Sequence, residues 1–245
     1  METTSYIALS RQGALRREMD VIAHNVANMN STAYKGEKMM FVEHLSKSRD
    51  DLSFIPRKLS FTRDVAQYRN LTEGPINTTG NTFDVAIRGE GYFAIQKQDG
   101  TENYTRNGSF TMDSTGQLVT QSGDPVMSNG GAPVFFTPQD TKITISADGT
   151  ISTNNGPIGR LRVVKFEDEQ NLKMEQGGLL STDQTPQDIP RPAIVQGALE
   201  GSNIQPVLEM ARMIEVSRTY DSVKSFIESE DGRQRKMIDQ LGART

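Results

Sequence analysis

The stretch Asp84-Val-Ala-Ile-Arg88, Gly89-Glu90-Gly91, Tyr92-Phe-Ala-Ile-Gln96 decides the fold of this chain. Two short β-prone runs flank a glycine bend, and the second run meets the turn dipeptide Asp99-Gly100. Lys142-Ile-Thr-Ile-Ser146 and Leu161-Arg-Val-Val-Lys-Phe166 are further β-prone runs, with turn signals at Asn107-Gly108, Asn129-Gly130, Asp148-Gly149 and Asn155-Gly156. Many short strands with close turns specify an antiparallel all-β body and not a βαβ fold. Gly89-Glu90-Gly91-Tyr92-Phe93-Ala94 formally matches the dinucleotide fingerprint G-x-G-x-x-A. That chemistry needs a helix N-terminus aimed at a pyrophosphate, whereas a strand follows here, so the segment reads as a glycine hairpin bend.

Towards both chain ends the period of the apolar residues changes from two to between three and four. From about Thr4 to Met29, Ala8, Leu15, Met19, Ile22, Val26 and Met29 form one stripe, and Thr3, Thr4 or Ser5 can cap its start. Asn28-Met29-Asn30-Ser31-Thr32 favours turn conformations and ends this helix. A second helix begins near Ser202-Asn203, with Pro206 in its first turn, where a missing N–H costs nothing. Its stripe is Met213, Val216, Tyr220, Val223, Ile227, Met237 and Leu241, interrupted by Glu230 and Gln234. Gly232 beside that interruption weakens the helix by about 1 kcal/mol relative to Ala. Residues 35–75 fit neither period and read as an extended linker. The expected division is therefore a helix in 1–34, a linker in 35–75, a β domain in 76–195 and a helix in 196–245.

The fold class expected is mostly β: a central antiparallel all-β domain flanked by N- and C-terminal α-helices that pair as a coiled-coil-like segment. Each stripe must bury its apolar side, and a pair of isolated helices is marginal alone. Both helices could pack on the β body, but the near-heptad spacing favours packing between chains. The residues expected at such an interface are Leu15, Met19, Ile22, Val26, Met210, Met213, Tyr220, Val223 and Ile227. Asn25 and Asn28 are candidates for polar contacts that fix its register.

Composition narrows the function. Only 35% of the 245 residues are hydrophobic and mean hydropathy is −0.54, so much of the surface is committed to solvent and partners. With 27 basic against 31 acidic residues and a net charge of −4, no basic field exists to attract nucleic acid. Cysteine is absent, which excludes disulfides, thiolate metal sites and a cysteine nucleophile. Arg11, Arg16 and Arg17 interrupt the stretch where a secretory signal would place its apolar core, and no apolar run has membrane-spanning length. His24 and His44 are the only histidines, and His24 with Asp20 reads as a solvated pair. Glu167-Asp168-Glu169 lacks a partner that would split its titrations, and no nucleophile elbow occurs. Neither an enzyme nor a cofactor is expected.

The same residues resemble the flagellar basal-body rod and hook proteins nearly end to end. Asp20-Val-Ile-Ala-His-Asn-Val-Ala-Asn28 and Asn30-Ser-Thr-Ala-Tyr-Lys35 look like the rod motif, an Asn-rich helix end leading into T-x-G-F-K. Thr79-Gly-Asn-Thr-Phe-Asp-Val-Ala-Ile-Arg-Gly-Glu-Gly-Tyr-Phe93 is similar to TGN-x-LD-x-AI-x-G-x-G-F-F. Tyr104-Thr-Arg-Asn-Gly-Ser-Phe110, Gly116-Gln-Leu-Val-Thr120 and Gln196-Gly-Ala-Leu-Glu-Gly-Ser-Asn203 match the remaining elements in order. The positions that carry the motif are Thr79, Gly80, Asn81, Asp84, Gly89, Gly91, Tyr104, Arg106, Gly108, Glu200, Ser202 and Asn203. Ala33 stands where the family carries Gly, Phe83 where it carries Leu, and Tyr34 and Tyr92 replace Phe. Ser10-Arg-Gln-Gly-Ala-Leu-Arg-Arg-Glu-Met19 points to the proximal-rod branch, with the distal-rod branch next.

The resemblance implies a structural subunit that leaves the cell by flagellar type III export without a cleaved signal and assembles in the periplasm into a hollow helical rod. Its terminal helices would form the inner tube and its β domain the outer layer. Partners would be other subunits of the proximal and distal rod and basal-body components, in homo- and hetero-oligomeric contact, with no nucleic acid and no membrane insertion. Two other readings remain open on the residues alone. One is a secreted β-rich binding module, for instance carbohydrate-binding, with dimerising helices, which would need an aromatic platform from a chain without Trp. The other is a cell-wall hydrolase, for which no acid–base pair stands out.

Overall fold

The computed structural model describes residues 2–47, 58–97 and 99–242; the central residues of the expected linker, 48–57, and the side chains of residues 2–5, 41–47, 58–65 and 241, Thr3, Thr4, Ser5 and His44 among them, lie outside the described residues. The chain divides into two compact units. One is drawn from Met1–Met29, Gly36–Asn70 and Ile204–Thr245, the other from Asn30–Lys35 and Leu71–Asn203.

The second unit is the β body, and all of its ladders are antiparallel. Its largest sheet has six strands in the order Lys173–Met174, Leu180–Ser181, Glu102–Thr105, Tyr92–Gln96, Val163–Lys165 and Gln187–Asp188. Successive side chains of a strand point to opposite faces, and Tyr92–Gln96 supplies both. Phe93 and Ile95 enter a core with Val85, Ile87, Phe110, Leu118 and Phe136, while Tyr92 and Ala94 enter a second with Tyr104, Val164, Phe166 and Leu180. Phe93 meets Phe110 edge-on with ring centroids 5.2 Å apart, and Tyr104 meets Phe166 at 4.7 Å.

Two expectations fail in this unit. Gly89-Glu90-Gly91 is not a hairpin bend. Val85–Arg88 pairs with Ala193–Gln196, whereas Tyr92–Gln96 pairs with Glu102–Thr105 and Val163–Lys165. The glycines, at φ 89° and 132°, carry the chain from one sheet to another, a change of direction that local sequence does not distinguish from a hairpin. Second, Gln196 to Asn203 is not part of a terminal helix. Ala193–Gln196 and Ala198–Glu200 are strands of the β body, and the helix starts at Pro206.

The first unit holds α1 (Glu2–Ala27), β1 (Glu37–Lys47), β2 (Lys58–Arg69) and α2 (Pro206–Gly242). Thr3, Thr4 and Ser5 lie inside α1 rather than capping it, because the helix already runs from Glu2. The stretch read as a linker forms an antiparallel ribbon, with Glu37 opposite Arg69, Lys47 opposite Lys58 and a register shift between Met40 and Phe41. Its alternation is broken by charged residues, so the strand state rests on a partner and not on local pattern. α2 passes through Gly232 without interruption. The pairs Glu230–Arg233 and Asp231–Arg235 bracket that glycine and offset part of its cost.

Truncating the side chain shared by the central strand and the larger core tests this account. Phe93→Ala should lower the unfolding free energy of the β body by about 3–5 kcal/mol in urea titration. Thr111→Ala, at an exposed strand position, should change it by less than about 1 kcal/mol.

Candidate assembly interface

α1 and α2 lie side by side and antiparallel. Arg212 donates to Glu18 at 2.8 Å, and Asn25 Nδ2 lies 3.5 Å from Glu209 Oε2. Nearer the start of α1, Ile7, Ala8 and Arg11 face Thr219, Ser222, Val223 and Phe226 across a groove of about 380 Å³. With 26 residues in α1 and 37 in α2, the second helix is about 16 Å longer.

The stripes expected from periodicity are only partly covered. Ile22 is buried, as is Val216, while Leu15, Met19, Val26, Met213, Tyr220, Val223 and Ile227 are half-buried and Met210 is exposed. Ala14 and Val21, outside the expected stripe, are also buried. Val21 lines a cavity of about 440 Å³ with His24, Glu37, Met39 and Ala66, which shows that α1 faces the ribbon as well as α2. The signal for this second face was in the spacing of Ala14, Val21 and Asn25, at steps of seven and four.

Asn25 is 2% exposed and acts as one more rung of the ribbon. Its Nδ2 donates to the Glu37 carbonyl at 2.8 Å, and the Glu37 amide donates to its Oδ1 at 2.9 Å. A side-chain amide carries the same donor and acceptor as a peptide group, so it completes the end of β1 where a strand partner would. Asn28 turns back on α1, its Nδ2 donating to the His24 carbonyl at 3.0 Å. Both asparagines are thus engaged within the chain. Leu9, Val207, Leu208, Met210, Ile214 and Ile238 are different: their side chains are about half or more exposed. Five of these six large exposed apolar side chains lie on α2, three of them, Val207, Met210 and Ile214, at the three-four spacing of one helix face.

Four motif positions of the β body, Gly89, Gly91, Arg106 and Glu200, meet around one buried carboxylate. Glu200, 2% exposed, accepts from Lys35 Nζ at 2.6 Å, from Arg106 Nε at 2.6 Å and from the Gly74 amide at 3.0 Å. The rest of the Arg106 guanidinium donates to the carbonyls of Gly91, Gly89 and Ile87 at 2.6, 2.6 and 3.1 Å. Burial pushes the Glu200 carboxyl up, but the donors Lys35 and Arg106, the Arg106 charge and the Gly74 amide together hold it below its ordinary value. A second knot forms on Asp84, which accepts from Thr79 Oγ1 at 2.6 Å and Asn81 Nδ2 at 3.1 Å.

The remaining motif positions set backbone. Gly80 has φ 76°, and a Cβ on Gly108 would stand 1.7 Å from the Val85 carbonyl oxygen. Tyr104 fills the second core, and Ser202 is buried. Asn203 donates from Nδ2 to the Thr72 carbonyl at 2.9 Å and from its amide to the Tyr34 carbonyl at 3.2 Å. Ala33, where the family has Gly, nonetheless adopts φ 58°, and its amide donates to the Glu200 carbonyl at 2.8 Å. Among the described residues no acidic or histidine cluster is placed to hold a metal ion, and no described helix is long and apolar enough to cross a membrane.

Removing the charge of Glu200 should be costly, because Lys35 and Arg106 would be left buried without their counter-ion. Glu200→Gln should destabilise the β body by about 3–5 kcal/mol in urea titration at neutral pH. The carboxyl is depressed in the folded state, so its contribution is complete above its ordinary value of 4.5 and is lost as pH falls below that through the folded value. Wild type and Glu200→Gln should therefore converge in stability only in strong acid.

Comparison with known proteins follows the same segments. Residues 6–35 match the family description "Flagella basal body rod protein", 86–153 match "Flagellar hook protein FlgE/F/G D1 domain" and 195–241 match "Flagellar basal body rod FlgEFG protein C-terminal". The flagellar basal-body rod protein FlgF of Caulobacter vibrioides is 36% identical over 99% of both chains. That of Mesorhizobium japonicum is 32% identical over 100% of both. The rod protein FlgG of Agrobacterium fabrum is 31% identical over 92% of this chain and 94% of its own. The chain belongs to the FlgE/F/G family of flagellar basal-body rod proteins, with FlgF proteins among its full-length relatives.

Proposed function

We propose that this chain is a structural subunit of the bacterial flagellar basal-body rod, built into the axial drive shaft through its two terminal helices. The observation that carries the helix role is the set of exposed large apolar side chains on α1 and α2, which packing against other subunits would bury. The chain acts by packing and is not an enzyme, in keeping with rod-protein relatives that span its full length. It sits in the basal body among other rod components, and a carbohydrate-binding module is not favoured.

The finer assignments follow from this reading. Within the segments 1–34 and 196–245, the helices α1 and α2 line the inner tube by coiled-coil-like packing with neighbours, while 196–203 stays with the β body. Residues 76–195 form the outer layer, and 35–75 connect the two. The residues at the contact are Leu15, Met19, Val26, Met210, Met213, Tyr220, Val223 and Ile227, which keep exposed or half-exposed surface within the chain. Neighbours are copies of this chain and other proximal and distal rod proteins, reached in the periplasm after export without a cleaved signal. One face of each subunit meets a different face of the next, which is how a helical array grows.

Charging the uncovered face tests the proposal without touching the fold. Leu208→Glu, at a side chain 62% exposed, should leave urea stability within about 0.5 kcal/mol of wild type. In cells lacking the native gene, the variant should be absent from purified basal bodies and should fail to restore swimming. Incorporation and swimming at wild-type levels would sink the assignment of α2 to the assembly.

A further inference from the structure

The sequence contains three Asn-Gly pairs, Asn107-Gly108, Asn129-Gly130 and Asn155-Gly156. In an unfolded chain all three share one intrinsic reactivity. The amide nitrogen of the glycine attacks the asparagine Cγ, ammonia leaves, and a five-membered succinimide forms. Water then opens either carbonyl of the ring to give aspartate or isoaspartate. No co-reactant other than water is required. What differs between the three sites is how the fold holds the nucleophile and the electrophile.

Asn107 is locked. Its Oδ1 accepts from the Ser109 amide at 3.0 Å, and its own amide donates to Thr105 Oγ1 at 3.1 Å. Gly108 is buried, packed so closely that an added Cβ would meet the Val85 carbonyl, so the peptide cannot rotate towards Cγ. Asn155 is tethered from several sides. Its Nδ2 donates to Asp140 Oδ1 at 3.0 Å, its Oδ1 accepts from Asn154 Nδ2 at 3.3 Å, and its amide donates to Thr153 Oγ1 at 3.2 Å.

Asn129 lacks the side-chain tethers of the other two sites and the buried glycine of the first, and its turn is held by the Gly131 amide donating to the Ser128 carbonyl at 3.0 Å. It is exposed at the tip of the loop from Ser128 to Ala132, and among the described residues its side chain has no hydrogen-bond partner. The loop is fastened at its base. Ser128 donates to the Ala132 carbonyl through both amide and hydroxyl, at 2.8 and 2.7 Å, and the Asn129 amide donates to the Arg160 carbonyl at 2.8 Å. The Gly130 amide, the attacking atom, makes no hydrogen bond among the described residues. The space around Gly130 is open, with Ser128 Oγ, at 3.7 Å from an ideal Cβ, as the single neighbour.

We propose that Asn129-Gly130 is a site of spontaneous covalent modification in the folded protein, converting through the succinimide to aspartate and isoaspartate ahead of the other two pairs. The reaction places a new carboxylate on the surface of the β body, and the isoaspartyl product adds a backbone methylene at the exposed loop tip. The Ser128–Ala132 bonds below the tip do not involve the reacting atoms, so the fold survives. A subunit retained in a lasting assembly would therefore accumulate a charge difference between old and newly added copies.

The test is peptide mapping by mass spectrometry of full-length protein aged at neutral pH and growth temperature, folded and in concentrated urea. In urea the three sites should convert at comparable rates. In the folded protein Asn129 should convert near its urea rate, with Asn107 and Asn155 at least ~10-fold slower, because their reaction waits for local opening. Gly130→Ala, which the open space admits, should suppress conversion at Asn129 while leaving the melting curve unchanged. Equal or faster conversion at Asn155 in the folded protein, or no conversion at Asn129, overturns the proposal.

Discussion

A carboxylate buried to 2% exposure is affordable only where its charge is met in full, and Glu200 organises the β body by imposing that demand. Two cations and one backbone amide answer it, and they come from segments far apart in the chain: Lys35, Gly74 and Arg106. Arg106 then spends its remaining donors on the carbonyls around Gly89 and Gly91, which fixes the bend between two sheets. Gly89, Gly91, Arg106 and Glu200, scattered through the sequence, are thus one electrostatic object, beside the separate knot on Asp84. Lys could not replace Arg106 here, because a point charge cannot serve a carboxylate and three carbonyls in one plane.

The helical unit follows a different economy. Its polar centre, Asn25, is uncharged and does the work of a backbone peptide, joining α1 to the start of β1. One face of α1 meets the ribbon and another meets α2, and large apolar side chains remain exposed on both helices, among them Leu9, Val207, Leu208 and Ile214. Both kinds of side chain complete the unit: Asn25 holds the end of β1, and Ala14, Val21, Ile22 and Val216 are buried beside it, while Leu9, Val207, Leu208, Met210, Ile214 and Ile238 stay about half or more exposed.

How much of this was legible in the sequence depended on the range of the interaction. Tyr92–Gln96, Val163–Lys165 and both terminal helices were readable because a β-prone run between turn dipeptides and a three-four period are local signals. The ribbon was not, since Glu37 and Arg69 find each other across the whole intervening segment and the charges in each strand obscure the alternation. The interface stripe was half right for a related reason. Periodicity marks a helix face as apolar without saying whether a ribbon, a second helix or another molecule covers it, and Ala14 and Val21 fell outside the single stripe considered. Arg106 and Glu200 were singled out as motif letters, yet their pairing was invisible until the chain was folded.

The Ala33–Glu200 contact has a kinetic meaning beyond its geometry. Residues 30–35 complete the same unit as Glu200, so the β body contains a closure spanning most of its own chain. The entropy of closing so long a loop must be met before the ion cluster returns anything, which makes this contact a late event in folding. Until the stretch around Glu200 is present, Lys35 and Arg106 have no counter-ion to gather them. The unit therefore has a built-in delay: it cannot lock on a partial chain, and a polypeptide held back at its C-terminal end stays pliable.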